Sequence, residues 1–388
     1  MSGVAEKSVG YVANNWKCGR LGDFVTLQRG FDLPKRLREN GPVPIVTSSG
    51  IEDFHSESKV NCPGVVTGRY GTIGNVFYLK QNFWPLNTTL FVSDFQGNDP
   101  QFVSYFLKTI DFETHSGKSG VPGVNRNDLH QEVVHFPPTL AEQEAIASAL
   151  SDADALIESL EQLLVKKRQI KQGAMQELLT GRMRLAGFDD SWRSISLGDI
   201  GVFLKGSGVR KDEANSGDLP CVRYGEIYTR HSDHVREFHS WISHEVARTA
   251  VQLQNGDLLF AGSGETKEDI GKCIAFCKPD LLAYAGGDIV ILRPHSEHSA
   301  FLGYYLNSCD IAEQKASKGQ GDAVVHISAT ALGNIVCSLP SFSEQEAIAD
   351  CLSSMDQDIA GTVKRLAKAR QLKQAMMQQL LTGQIRLV

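Results

Sequence analysis

Apolar residues return every seven positions along two stretches of this 388-residue chain. In the first, Leu150, Ile157, Leu164 and Leu178 keep the spacing, with Ala153, Leu160 and Ala174 offset by three. In the second, Leu352, Ile359, Leu366 and Leu380 keep it, with Met355, Ala369 and Met376 offset in the same way. This is the seam of a coiled coil. Residues 141–179 and 343–381 contain no proline and one glycine each, Gly173 and Gly361. Two uninterrupted helices follow, each of roughly 40 residues and about 60 Å at about 1.5 Å per residue. Thr139 and Ser343 are candidate N-caps, and Gly181 and Gly383 candidate left-handed C-caps. Lys171 and Lys373 interrupt the two seams at matching places, where a polar residue fixes register at a cost in stability. The most economical partner for each helix is the other one, in an antiparallel pair. A parallel dimer with a second molecule is the alternative.

The two stretches are copies. Aligning Pro138–Leu185 with Pro340–Leu387 at an offset of 202 gives 25 identities in 48 positions without a gap, far above chance. Both begin with Glu-Gln-Glu-Ala-Ile-Ala and end in Leu-Leu-Thr-Gly. Weaker matches precede them. "WKCGRLGDFVTLQRG" at Trp16 pairs with "WRSISLGDIGVFLKG" at Trp192, and "FVSYFLKTIDF" at Phe102 with "FLGYYLNSCDI" at Phe301. The offsets grow from 176 to 199 to 202, so the second globular segment is 26 residues longer through internal insertions.

Between the helices the pattern changes. "GVVTGRYGTIGNVFYL" (Gly64–Leu79) and "GDIVILRP" (Gly287–Pro294) read as strands broken by glycine, and "DPQFVSYFLKTI" and "HSAFLGYYLNSC" as short aromatic-rich helices. The fold class is therefore α+β: two mixed α/β globules separated by two long helices that pair as an antiparallel coiled coil with pseudo-twofold symmetry. The expected boundaries are a first globule at 1–139, a central helix at 140–185, a second globule at 186–341 and a C-terminal helix at 342–388.

Charge adds little. The formal net charge is −6. Residues 1–139 carry 13 basic and 13 acidic side chains and residues 186–341 carry 14 and 20, so any nucleic-acid surface is a local patch on a neutral or acidic body. No apolar run reaches the ~18 residues of a membrane span, and the first residues lack a signal-peptide core. A cytoplasmic location is the expectation. The eight cysteines form no CxxC pair or framework and read as reduced thiols. His231, His234, His239 and His244 with Cys273 and Cys277 fit no common zinc spacing. "AGSGETKED" (Ala261–Asp269) lacks the GxxxxGK[ST] pattern of a phosphate loop. No catalytic triad or carboxylate pair stands out. An adenine methyltransferase would need an Asn-Pro-Pro-aromatic motif, whereas "FPPT" has Phe136 in the asparagine position. The paired glutamates of "EQEAIA" (Glu142, Glu144, Glu344, Glu346) suit the first turn of a helix, where carboxylates complement the dipole.

The doubled "FPPTLAEQEAIA" and "LPSFSEQEAIA" starts, the doubled "QELLTGRMRL" and "QQLLTGQIRL" exits, the two Leu-Gly-Asp openings and "GRYGTIGNV" together resemble the specificity subunit of type I restriction–modification enzymes, over nearly the whole chain. The resemblance implies a non-catalytic DNA-binding subunit. Each globule would be a target-recognition domain reading one half of a bipartite, asymmetric site on double-stranded DNA. The helices would set the gap and dock two modification subunits that methylate adenine N6. S-adenosylmethionine, ATP and Mg would belong to partner subunits, restriction subunits among them, and none to this chain.

Under that reading, base and phosphate contacts come from Arg, Lys, Asn, Gln and Tyr on glycine-rich loops. In the first globule the candidates are Arg29, Lys35, Arg36, Arg69, Tyr70, Lys118, Asn125 and Arg126. In the second they are Lys205, Arg210, Lys211, Arg223, Tyr224, Lys267, Lys318, Gln320 and His326. The loops around Lys118 and Lys318 form the best-matched pair. The basic runs "KKRQIKQ" (Lys166–Gln172) and "KARQLKQ" (Lys368–Gln374) read as a stripe facing DNA or a partner, with solvated helix faces as the alternative. Two rivals come from other classes: a coiled-coil adaptor whose globules bind proteins, and a stand-alone nuclease or methyltransferase.

Overall fold

The computed structural model describes residues 15–115, 123–321 and 324–387. It divides into two compact units, residues 1–162 with 363–388 and residues 163–362. Each unit thus combines one globule with one end of each long helix.

Both units are built to one plan. In the first, a four-stranded antiparallel sheet has the order Thr26–Arg29, Thr89–Asp94, Gly64–Gly68, Val76–Leu79. In the second the order is Gly201–Lys205, Ile289–Pro294, Asp257–Ala261, Cys273–Phe276. A smaller sheet joins Gly50–His55, Val43–Thr47 and Trp84–Pro85 in one unit, and Ser240–Ile242, Leu219–Val222, Tyr284–Ala285 and Val251–Gln252 in the other. The strand before each Leu-Gly-Asp pairs with the strand before each long helix: Lys17–Arg20 with Val133–Phe136, and Arg193–Ser196 with Val336–Leu339. The aromatic-rich segments form the helices Pro100–Leu107 and Ser299–Tyr305. In the second unit the ten-residue helix Cys309–Lys318 follows the aromatic-rich helix.

The long helices run from Leu140 to Leu178 and from Phe342 to Leu380, 39 residues each. Thr139 caps the first, its hydroxyl accepting from the Glu142 N–H at 3.3 Å. Ser343 does not cap the second. That helix begins at Phe342, which leaves Ser341 in the N-cap position and Ser343 inside the first turn. Gly181 and Gly383 are left-handed (φ 69° and 72°), and the N–H groups of Met183 and Ile385 reach back to the carbonyls of Glu177 and Gln379. This satisfies carbonyls that the ending helix leaves open.

Within each unit the helix ends pair antiparallel. In the first, Asp154 meets Lys373 and Glu161 meets Arg370, both at 2.5 Å. In the second, Lys167 meets Asp358 and Lys171 meets Asp356, both at 2.7 Å. Partner numbers fall as residue numbers rise, as antiparallel strands of a coil require. Along the seam Leu150, Leu178, Leu352, Leu366 and Leu380 are buried, while Ile157, Leu164 and Ile359 are half-buried. The buried ends do more than face the other helix. Leu150 and Leu380 enter the core of the first globule, beside Phe102 and Phe136, and Leu178 and Leu352 enter that of the second, beside Phe301 and Leu339. The heptad stripe is wide enough at its ends to bury against a third element.

Three polar contacts, repeated in each unit, lock globule to helices. Glu142 is buried and receives a two-pronged ion pair from Arg386, with Nη2 2.7 Å from Oε2, and Trp16 Nε1 donates to it at 3.3 Å. Glu344 is likewise buried and takes Arg184 through Nε at 2.5 Å and Nη2 at 2.7 Å. The start of one helix is therefore pinned to the exit of the other. This is why the "EQEAIA" and "LLTGxxRL" motifs are repeated together, and it goes beyond the dipole role expected of these two glutamates. Next, Gln143 accepts from the Asp99 N–H at 2.8 Å, and Gln345 from the His298 N–H at 3.0 Å. Asp99 and His298 are the N-caps of the two aromatic-rich helices. Finally, Tyr105 donates to Asp154 at 2.7 Å and Tyr304 to Asp356 at 2.6 Å, beside Lys373 and Lys171 respectively. The lysines that interrupt the seam thus tie the two helices and a globule tyrosine at one point.

Candidate nucleic-acid interface

In the first unit Arg29 ends its strand, half-exposed and 3.5 Å from Asp32. Lys35 and Arg36 are exposed on the short 3-10 turn Lys35–Leu37, so a turn of helix rather than a glycine loop presents them. The next basic residue, Arg38, binds Asp53 at 2.8 Å. That hydrogen bond, above all, holds the Asp53 carboxyl below the ordinary carboxylate range. Arg69 and Tyr70 follow the central strand Gly64–Gly68, with the Arg69 guanidinium 4.4 Å from the Tyr70 ring centre. Tyr70 bridges to Gly123, bringing together two loops that are distant in sequence. A Cβ on Gly123 would lie 2.0 Å from the Tyr70 ring, so only glycine fits there. Asn125 spends its side-chain oxygen on capping the helix Arg126–His130, accepting from the Asn127 N–H at 3.0 Å. Both Asn125 and Arg126 are exposed. Lys118 lies outside the described residues.

In the second unit the strands bring candidates into two cavities that share Asp288. One, of about 400 Å³, is lined by Lys205, Ser263 and His326 among others. His326 Nδ1 lies 2.9 Å from the Ser263 hydroxyl, and its backbone pairs with Gln320. The other, of about 600 Å³, collects Lys211, Arg223 and Tyr224 together with Arg230 and His239. Arg230 was not singled out from the sequence, although "YTRH" (Tyr228–His231) carries a basic cluster, and His239 was weighed only as a metal ligand. Arg223 is partly committed, its Nε reaching Ser240 at 3.0 Å and Glu226 at 3.4 Å. Arg210 and Lys267 are exposed. Lys318 departs from expectation. It is the last residue of the helix Cys309–Lys318 and half-buried, not a loop residue.

The two Arg-Tyr-Gly triplets are not counterparts. Arg69-Tyr70 follows the central strand of the large sheet, where the second unit has Gly262-Ser263. Arg223-Tyr224 follows a strand of the small sheet, where the first unit has Thr47-Ser48. The basic runs on the long helices also resolve differently from the stripe expected. Lys167, Lys171, Arg370 and Lys373 are consumed in ion pairs between the helices, leaving Lys166, Arg168 and Lys368 exposed. His234 bonds the Ala300 carbonyl at 3.1 Å, and among the described residues no group of His, Cys, Asp and Glu is placed to hold a metal. No helix among them is long and apolar enough to cross a membrane.

Two units of one plan, fixed to matching helix ends by the same contacts but exposing different basic and aromatic side chains, define a duplicated scaffold with two distinct surfaces. The type I restriction modification DNA specificity domain matches the chain twice, at residues 13–168 and 189–370, and the chain belongs to that family. It is similar to the type I restriction enzyme MjaVIII specificity subunit of Methanocaldococcus jannaschii, with 23% identity over 412 residues covering 97% of this chain and 94% of that protein. Its fold is similar to the crystal structure of the type I S subunit from M. genitalium, with a TM-score of 0.64, 18% identity, and 96% and 97% of the two chains covered. It is also similar to the HsdS subunit from Thermoanaerobacter tengcongensis, with a TM-score of 0.50, 19% identity, and 98% and 100% covered.

Proposed function

We infer that this chain is the DNA sequence-recognition subunit of a type I restriction–modification complex. The globules at 1–139 and 186–341 each read one half of a two-part site on double-stranded DNA. The helices fix the gap between the halves and seat two modification subunits, which carry the S-adenosylmethionine chemistry on adenine N6. The chain itself recognises and does not catalyse. One observation supports this reading: the glutamate–arginine, glutamine–cap and tyrosine–aspartate contacts that hold each unit together repeat at matching positions, while most of the exposed Arg, Lys, Tyr and His side chains do not. A protein that must change what it reads without losing its assembly needs that division. The neutral-to-acidic charge of the globules limits binding by this chain alone, so much of the DNA affinity comes from partners.

The test is reconstitution with its modification subunits. The complex is expected to bind one two-part duplex in preference to others, with affinity falling as salt rises because phosphate contacts release counterions. A complex with no sequence preference would refute the reading. So would methylation or cleavage of DNA by this chain alone.

A further inference from the structure

We propose that Phe54, with Ile51, in the first unit and Trp241 in the second are base-contacting side chains, one apolar contact for each half-site of duplex DNA. This rests on the reading of the globules as DNA readers. Both residues sit on the edge strand of the small sheet, Gly50–His55 and Ser240–Ile242. In each, the aromatic residue stands opposite a proline of the neighbouring strand: Phe54 opposite Pro44, and Trp241 opposite Pro220. The sequences around them share no match, yet the fold delivers an aromatic ring to the same register position. Phe54 is 50% exposed, Ile51 51% and Trp241 41%, although large apolar side chains elsewhere in these sheets are buried or half-buried. A register shift between Ile45 and Val46 sets Ile51 opposite Val46, and so on the same face as Phe54.

The surroundings favour nucleic acid. Beside Phe54, Arg38 is bound to Asp53, and Lys35 is close enough for its charge to act on that carboxylate. Beside Trp241, Arg223 is bound to Ser240, and the Trp241 N–H donates to Ala214 at the end of the turn that carries Lys211. An edge strand that shows an apolar ring on one face and holds a cation on the other matches a duplex, whose bases offer apolar edges and faces between phosphates. The patch also differs between the units, Ile and Phe in one and Trp in the other. A surface for a partner common to both units would be expected to repeat, as the helix locks do.

The experiment uses the assembled complex and synthetic duplexes carrying its methylated motif. F54A is expected to weaken binding to the motif by at least about tenfold, the scale of one lost apolar base contact. Binding to an unrelated duplex and the salt slope should stay unchanged, since no phosphate contact is removed. Discrimination should relax at one half-site only, and W241A should relax the other. F54Y and W241F should retain most of the affinity. Two results would overturn the proposal: unchanged discrimination at both half-sites, or loss of modification-subunit binding with site preference intact, which would make the patch a protein interface. Absence of any site preference in the unaltered complex would instead refute the DNA-reader function itself.

Discussion

Removing Arg386, two residues from the end of the chain, should destabilise the first unit out of proportion to its position. Its guanidinium covers the carboxylate of Glu142, whose side chain is 1% exposed, and also bonds Asn15 at 2.6 Å. Arg386→Ala leaves that carboxylate buried with, among the described residues, the Trp16 N–H as its remaining side-chain donor. Stranding a buried charge in this way costs about 3–5 kcal/mol, and the one-third exposure of Arg386 argues for the lower end, about 3 kcal/mol. For a unit of this size each kcal/mol moves Tm by about 2–4 °C, so a fall of roughly 6–12 °C is expected. Calorimetry on wild type, R386A, E142A and the double variant gives the coupling directly. The double variant should be more stable than R386A, because removing both partners strands no charge. A fall in Tm under about 2 °C, or purely additive effects within about 0.5 kcal/mol, would refute the lock.

In the second unit, burial favours a raised pKa for Asp356. Hydrogen bonds from Lys171 and Tyr304, with the charges of Lys171 and Arg236, outweigh it and hold the carboxyl below its ordinary value. Its contribution is therefore present above about pH 4 and lost as pH falls through the lower folded pKa. Lys171→Met should destabilise this unit at neutral pH by a margin that shrinks on acidification, which denaturation at several pH values will show. Lys35→Ala or Lys205→Ala, if these residues hold phosphates, should lower the slope of log affinity against log salt by about one without changing the preferred motif. Adding about one or two helical turns near Leu160, with a matching addition near Thr362, should lengthen the gap of the methylated motif by roughly one to three base pairs and leave both half-sites as they were. Altered half-sites would contradict the spacing role.

The sequence reveals what is local or repeated. The helices, their glycine C-caps and their antiparallel pairing follow from heptads, missing prolines and a 202-residue offset, because each depends on nearby residues or on comparison of two copies. Tertiary partners are hidden. Nothing near Glu142 announces Arg386, 244 positions away. The repeated lysines looked like a surface stripe because a helix pattern does not say which of its charges faces another helix. Ser343 and Lys318 were misplaced for a simpler reason. Helix ends are set by backbone bonds that composition locates only within a residue or two. Recognition residues were the least legible. Exposure of Phe54 or Trp241 depends on which strand lies at the edge, and alternation alone does not fix strand order.

The most direct measurement is the map of N6-methylated adenines in cells carrying the modification subunits, with and without this chain. Its presence should add one bipartite motif, two short defined halves around an undefined gap, and either globule exchanged for that of a relative should change one half only. Identical methylation maps with and without the chain would contradict its role as the reader.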